Sequence, residues 1–447
     1  MTRKRIGCLA ALFGTACLLG FASKLDAAKP EKLIRVTLES NEEFGVIPLE
    51  CLGADVVNPG GRSNDMERTP KRMTFECLPG ATVWLTERDN DSKHGGILTI
   101  LPEDDGKTVH LRYGEHACYK NDALCTLDFT DAKNAKDIAK QLDILKQAKK
   151  DKKLDGLTVV LDLDDSSLLI LQELKGSGAG LAIETKLDAK SLSNTLYQKR
   201  FRAISEVEPR LLEIDCRAIA LVKGRLPKVE TLFLLGTDFP SGDVISDLSK
   251  LARLRHLLLL VEKGTAAVDL KPLEELTQLK ALTVFSMDQE CKNADAIGSL
   301  AELQFLALLS KSPCDPSVFR RLSNLRYLAA SFPADVDFSF AEKMPDLQTL
   351  CILNVEEKHN LKPLEKLPHL RCLALSQEPV GGGKKSFKAM SFKNVKDFEK
   401  ARPDVDIVEY SGICLGSFWL LPLAAVAAVA AWLIRRRRVG KRLACQR

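Results

Sequence analysis

Few side chains in this 447-residue chain are spaced for chemistry. The most suggestive are Asp162 and Asp164, which close the apolar run Val159-Val160-Leu161 and precede Asp165 and Ser166. A second acidic pair, Asp243 and Asp247, follows Gly242. Gly381-Gly382-Gly383-Lys384-Lys385-Ser386 looks like a phosphate loop but fails the GxxxxGK(S/T) spacing, because Lys385 separates Lys384 from Ser386. A flexible insertion is the simpler reading. The six histidines, His94, His110, His116, His256, His359 and His369, have neither HxxxH nor HExxH spacing, so no metal site is expected from them. Glu103, Asp104 and Asp105 lack the ligand spacing of a calcium loop, and a solvated turn is expected there.

Val159–Ser166 resembles the first motif of haloacid-dehalogenase-type phosphatases, an apolar strand ending in DxDx(T/V). The resemblance would make Asp162 a nucleophile and Asp164 a general acid/base. Gly242–Asp247 would then mimic that family's later GDxxxD metal motif. Three departures count against it. Ser166 replaces Thr or Val, and Thr237–Ser241 intervene before the later motif. Both segments also have a place already in a repeat. The chain is therefore read as non-enzymatic, with no cofactor or metal, and a phosphatase is the remote alternative.

The repeat governs the elements that position everything else. Seven stretches read LxxLxxLxL with apolar replacements: they start at Leu226, Leu251, Leu276, Leu300, Leu322, Met344 and Leu367, spaced 25, 25, 24, 22, 22 and 23 residues apart. The first two apolar positions of each, three apart, lie on one helical face; the last two, two apart, lie on one strand face. Each unit is a helix end feeding a short strand. No single unit buries both faces, so stacked units must share a parallel sheet with helices behind it. This resembles the leucine-rich-repeat family and implies an α/β solenoid that binds a protein or other ligand. Weaker copies at Leu157–Leu163, Leu181–Ile183, Leu211–Ile214 and Arg402–Val408 extend the array over residues 131–410, with Asp131–Lys150 as a helical cap. One departure stands out: the family's regular Asn after the strand is missing, and Asn354 is isolated. The turns must be built differently.

In the register of the repeat, Leu257 and Leu259 face the core, so their neighbours Leu258 and Leu260 face the concave side of the sheet. Phe233, Leu235, Phe285, Leu309 and Leu353 share that side, which carries no charge. A contiguous apolar face is either covered or used. These seven residues are the candidate binding face for a protein ligand, with covering by residues 29–128 or by the 381–394 insertion as the alternative.

Residues 29–128 alternate apolar and polar in short runs, Leu33–Leu38, Thr82–Leu85, Ile97–Ile100 and Val109–Tyr113, parted by Gly, Asn and Asp clusters. That pattern predicts a small, mostly-β domain. Asn90-Asp91-Ser92 is a glycosylation sequon.

The two ends place the chain. Residues 1–28 open with Arg3-Lys4-Arg5 and an apolar run, a signal-peptide pattern. Ser411–Ile434 is uncharged over 24 residues, with Trp419 and Trp432 near its ends, and predicts one C-terminal transmembrane helix. The 435–447 tail carries Arg435–Arg438 and is expected in the cytoplasm, giving a single-pass type I membrane protein whose bulk is periplasmic or at the cell surface. Cys414, the apolar run and the Arg cluster also resemble the C-terminal sorting tags of some bacterial surface proteins. The ten bases of these ends leave 55 bases against 60 acids in the body, so the net +5 is misleading and no nucleic-acid partner is expected. Nine cysteines lie between the ends: an oxidising compartment permits disulfides, and Cys291 and Cys314, nine and eight residues after equivalent leucines, are the candidate pair. The odd number leaves room for a bond between chains, so a homodimer acting as an envelope scaffold is the second functional reading.

Overall fold

The three-residue spacing of the repeat's leucines selects its own helix type. Leu273, Leu276 and Leu279 are all fully buried. Leu276 N–H donates to Leu273 O and Leu279 N–H to Leu276 O, at 2.9 and 3.0 Å. Leu273 lies in a 3-10 turn and Leu276 caps it, while Leu279 follows in a further turn with the same three-residue hydrogen bond, so the three leucines share one inward edge. The same 3-10 turns recur at Lys271–Glu275, Ala294–Ser299, Pro316–Arg321, Phe338–Lys343 and Lys362–Lys366. The expected layer of helices behind the sheet is thus a layer of 3-10 turns over these units. Units of 22–25 residues that also hold a strand have no room for longer helices. Full α-helices back the first units, α1 (Ala135–Lys150), α2 (Ser167–Glu173) and α3 (Thr195–Val207), and the last, α4 (Lys393–Ala401).

The structure, a computed structural model, describes residues 32–410 apart from 42–43, 47–50, 53–70, 88–95, 115, 131, 133–134, 155, 186–193, 220–225, 237–247, 249, 262–266, 287–289, 311–312 and 377–391. The signal peptide 1–28, the span Ser411–Ile434 and the tail 435–447 lie outside the described residues. So do Asn90–Ser92, Asp243, Asp247 and Gly381–Ser386. Among the described residues no helix is long and apolar enough to cross a membrane.

Among the described residues the strands form one sheet of seventeen and two small ones. The repeat strands are β10 (Thr158–Leu161), β11 (Gly180–Ile183), β12 (Leu211–Asp215), β13 (Thr231–Gly236), β14 (His256–Val261), β16 (Ala281–Ser286), β18 (Phe305–Ser310), β19 (Tyr327–Ser331), β20 (Thr349–Leu353), β21 (Cys372–Ser376) and β22 (Asp406–Tyr410). Each pairs in parallel with the next. The short strands β15 (Val268–Asp269) and β17 (Cys291–Lys292) pair separately behind them. This large parallel sheet with helical turns along one side is consistent with a leucine-rich-repeat solenoid.

Two devices hold the turns in place of a regular Asn. A carbonyl just before each strand accepts two N–H groups from the next unit: Lys280 O from Gln304 and Phe305 at 2.8 and 3.1 Å, then Gln304 O from Arg326 and Tyr327 at 2.8 and 3.0 Å. Behind the strands, a short acid or amide starts the 3-10 turn. Asp269 accepts from Lys271 N at 2.9 Å, Asp315 from Ser317 N at 2.8 Å and Asp337 from Ser339 N at 3.0 Å. Asp315 and Asp337 are thus helix N-caps, and Asp269 acts one residue further ahead of its turn. Asn354 is instead a left-handed residue with φ 58°, a conformation Asn tolerates.

The N-terminal β region is not a sheet apart. Its strands are β1 (Ile34–Ser40), β2 (Phe44–Val46), β3 (Cys51–Leu52), β4 (Arg72–Cys77), β5 (Thr82–Glu87), β6 (Gly96–Thr99), β7 (Thr108–Gly114), β8 (Ala117–Lys120) and β9 (Ala123–Asp128). Pairings run β3–β4–β1–β7–β8–β9, and β9 then pairs in parallel with β10, so the ladder continues into the repeats. β2, β5 and β6 make a separate three-stranded antiparallel sheet. A core of Val36, Leu38, Phe44, Phe75, Val83 and Leu98 lies between the two.

Candidate binding face

Parallel register stacks the inner side chains into rows. One row runs Val160, Ala182, Glu213, Phe233, Leu258, Thr283, Ala307, Ala329, Cys351, Ala374 and Val408. The next runs Asp215, Leu235, Leu260, Phe285 and Leu309. All seven candidate residues lie in these rows or their continuation at Leu353. They belong to one apolar cluster, separate from the core between strands and turns.

That face is closed. Phe233, Leu258, Leu260, Phe285, Leu309 and Leu353 are only 1–6% exposed, and Leu235 is half-buried. The same cluster includes Leu78 and Ile97 of the N-terminal β region, with Leu33 packed against it. Ile97 is fixed from both sides, its N–H donating to Thr126 Oγ1 at 2.8 Å and its carbonyl accepting from that hydroxyl at 2.9 Å. Of the two readings of this face, covering by the N-terminal β region is the one that fits the burial of these side chains. The register was legible, but sequence patterning does not show what lies over a face.

The N-terminal end of the face is acidic, against the expectation of an uncharged surface. Glu213 sits in the row between Ala182 and Phe233 and is 6% exposed. Burial pushes its carboxyl well above the ordinary range, and the negative charge of Glu184 adds to this. Asp215, two residues on, is held by Arg217 Nη2 at 2.9 Å and Nε at 3.1 Å.

The residues of the phosphatase motif have structural work. Asp164 Oδ1 accepts from Ser166 N at 2.9 Å, Ser166 Oγ at 2.6 Å and Ser167 N at 3.2 Å, so it opens α2. Asp162 is exposed and accepts from Thr185 Oγ1 at 3.1 Å. Arg200 donates to Leu163 O at 2.6 Å and Asp165 at 3.1 Å, pinning that loop to α3. In the Glu103–Asp105 turn, Asp104 is paired with Lys120, and Asp105 with Lys32 at 3.0 Å and Arg35 N at 3.0 Å. His359 is buried, its Nε2–H donating to Pro333 O at 3.0 Å while its Nδ1 accepts from Glu356 N at 3.3 Å, and His256 lies 3.5 Å from Thr231 Oγ1. Among the described residues no group of three acids, histidines or cysteines could hold a metal.

Cys291 and Cys314 are thiols, brought together beside the Ser310 hydroxyl, which hydrogen-bonds to both. Burial pushes Cys291 up to about 11 and Cys314, which also feels Cys291, up to about 12.

Two side chains missed by pattern reading stand out on the opposite, outer side. Leu169 on α2 is 57% exposed and Leu196 on α3 is 39% exposed, the large exposed apolar residues among those described. The helices pack against each other. Both leucines follow ordinary helical spacing, so only the packed structure separates them from Ile170 and Phe201, which are buried.

No protein-family model matches the sequence, nor does that of any curated protein. The chain is similar to solved leucine-rich-repeat structures. One is an internalin of Listeria monocytogenes, at 15% identity and TM-score 0.36, covering 58% of this chain and 69% of that one. Another is internalin C2 of Listeria monocytogenes, at 16% identity and TM-score 0.29, covering 50% and 89%. A third is a leucine-rich-repeat protein of Leptospira interrogans, at 14% identity and TM-score 0.30, covering 58% and 74%.

Proposed function

We propose that this chain is a non-catalytic binding protein whose solenoid is held outside the cytoplasm by the Ser411–Ile434 span, its bulk periplasmic or at the cell surface. The outer side of the solenoid, rather than its closed inner face, takes a protein ligand. The observation that carries this reading is the exposure of Leu169 and Leu196 on neighbouring helices while the inner face is buried. Exposed apolar side chains are where protein partners gain desolvation energy. The roles of Asp162, Asp164 and Arg200 in the α2 loop support a non-catalytic reading.

The test uses the full chain in its native membrane. Reporter fusions after Tyr410 and after Arg447 should place the two on opposite sides. Partners cross-linked to the parent should be lost with Leu169→Glu/Leu196→Glu and kept with the surface control Arg112→Glu. The scaffold reading differs in one outcome: the same double variant would abolish self-association, measured by light scattering in detergent, with no other protein bound. Magnesium-dependent hydrolysis of an aryl phosphate, abolished by Asp162→Asn, would replace both readings with the phosphatase.

A further inference from the structure

β3 and β4 place two cysteines opposite each other. In their antiparallel register Cys51 pairs with Cys77, and Leu52 with Glu76. Directly opposed antiparallel residues have Cα atoms about 4.5 or 5.5 Å apart, according to whether they exchange hydrogen bonds. Both values fall in the disulfide window of about 4.4–6.8 Å. Opposed residues also share one side of the sheet. For β4 that side is settled: Met73, Phe75 and Cys77 alternate inward and belong to the core between the two sheets. The register puts Cys51 on the same side. Among the described residues no other two cysteines stand directly opposite in a ladder. Cys118 faces Tyr113 and Thr126, Cys291 faces Val268, Cys351 faces Ala329 and Ala374, and Cys372 faces Thr349 and Asp406.

The pair also lies where β3 is weakest. β3 is only Cys51 and Leu52, so its ladder to β4 is short. β4 is held on its other edge by β1, from Ile34–Cys77 to Glu39–Arg72. On either side of Cys77, Glu76 reaches Arg371 and Leu78 joins the cluster over the inner face. A bond here would tie β3 to a strand already fixed against the repeats.

We propose that Cys51 and Cys77 form a cross-strand disulfide as the chain folds, stapling β3 to β4. Cys77 is fully buried in the finished fold, so the bond forms before the core closes around it. The oxidant is a low-molecular-weight disulfide such as glutathione disulfide. In the unfolded chain the thiolate of one cysteine attacks a sulfur of the oxidant, and a glutathione thiolate leaves. Strand pairing then brings the other cysteine to this mixed disulfide. Its thiolate attacks the protein sulfur and expels the second glutathione thiolate. The protons lost by the two protein thiols end on the two glutathione thiolates. Two protein thiols are oxidised, and one glutathione disulfide is reduced to two thiols.

The experiment synthesises the full chain cell-free in detergent with reduced and oxidised glutathione, so that folding and oxidation proceed together. The oxidant is supplied, and the outcome does not depend on where the protein resides. The folded fraction is quenched in acid, denatured, alkylated and mapped by peptide mass spectrometry without reduction. The expected map joins Cys51 to Cys77 in most molecules. The same chain kept in guanidinium in the same buffer should show no preference for this pair, because the register is what brings it together. Cys51→Ala/Cys77→Val, which keeps the core apolar, should lower Tm by about 3–6 °C relative to the oxidised parent. The proposal is overturned if Cys51 and Cys77 are alkylated in the folded parent, if either is linked chiefly to another cysteine, or if the link is as common in guanidinium. An equal Tm for parent and double variant would overturn its role as a staple.

Discussion

Arg371 Nη1 lies 3.5 Å from Glu76 Oε1, joining residues 295 positions apart. Glu76 is on β4 of the N-terminal β region, and Arg371 directly precedes β21, the strand before the last repeat strand β22. The sheet therefore curls until the N-terminal β region reaches its last repeats, which explains how an apolar face can be interior.

The ion pair itself marks this approach more than it holds it. Arg371 is mostly exposed. Exposed pairs are worth about 0–1 kcal/mol. A double-mutant cycle of Glu76→Gln and Arg371→Gln should give a coupling under about 1 kcal/mol. Ile97→Ala removes a side chain 5% exposed within the closing cluster and should cost about 2–4 kcal/mol in urea unfolding. Equal losses from the two would mean that charge, not apolar packing, holds the closure.

Glu213 should give the molecule an inverse pH response. Its folded carboxyl holds a proton well above the ordinary value of 4.5. The contribution is thus fully favourable below that value. It is lost as pH rises through the folded pKa, because the unfolded chain ionises first. Glu213→Gln should raise Tm at pH 7 by a few degrees and remove this part of the slope. An unchanged slope between pH 4.5 and 8 would refute the assignment of burial as its cause.

The acids that start the 3-10 turns act in the other direction. Hydrogen bonds from Asn293 and Lys271 N hold Asp269 below its ordinary value, and those of Ser317 and Ser339 do the same for Asp315 and Asp337. Their stabilisation is present above about pH 3.9 and is lost as pH falls through the lower folded values. Asp315→Ala should lower Tm by about 2 °C at pH 7, while Asp315→Asn keeps an acceptor and loses little. A thermal scan series distinguishes them.

Gly180 marks where β11 meets its neighbours. A Cβ there would lie 2.7 Å from Thr158 Oγ1 and 3.2 Å from Leu211 Cβ. Gly180→Ala should cost about 1–3 kcal/mol by overpacking, and Thr158→Ala in the same chain should recover part of it. Full additivity of the two losses would show that the contact is relieved elsewhere.

The sequence by itself determined the repeat. Leucines three apart and then two apart can be buried only by a helical turn followed by a strand, so the parallel ladder and the inward or inner direction of Leu257 and Leu258 were both readable from spacing. Periodicity is local, and it fixes which side of the backbone a residue takes. The turn chemistry was also present, in Asp269, Asp315, Asp337 and Asn360 ahead of four of the five 3-10 turns, but its period varies with the loop lengths and hides the pattern. Only the tertiary structure decided that β9 would pair with β10, that Leu78 and Ile97 would join the cluster of Leu258, and that Glu213 would be an acid in an apolar row. Those depend on the curvature of a seventeen-stranded sheet, the sum of many small twists between neighbouring strands. No single segment encodes that sum, so the open or closed state of the face is a property of the assembled chain.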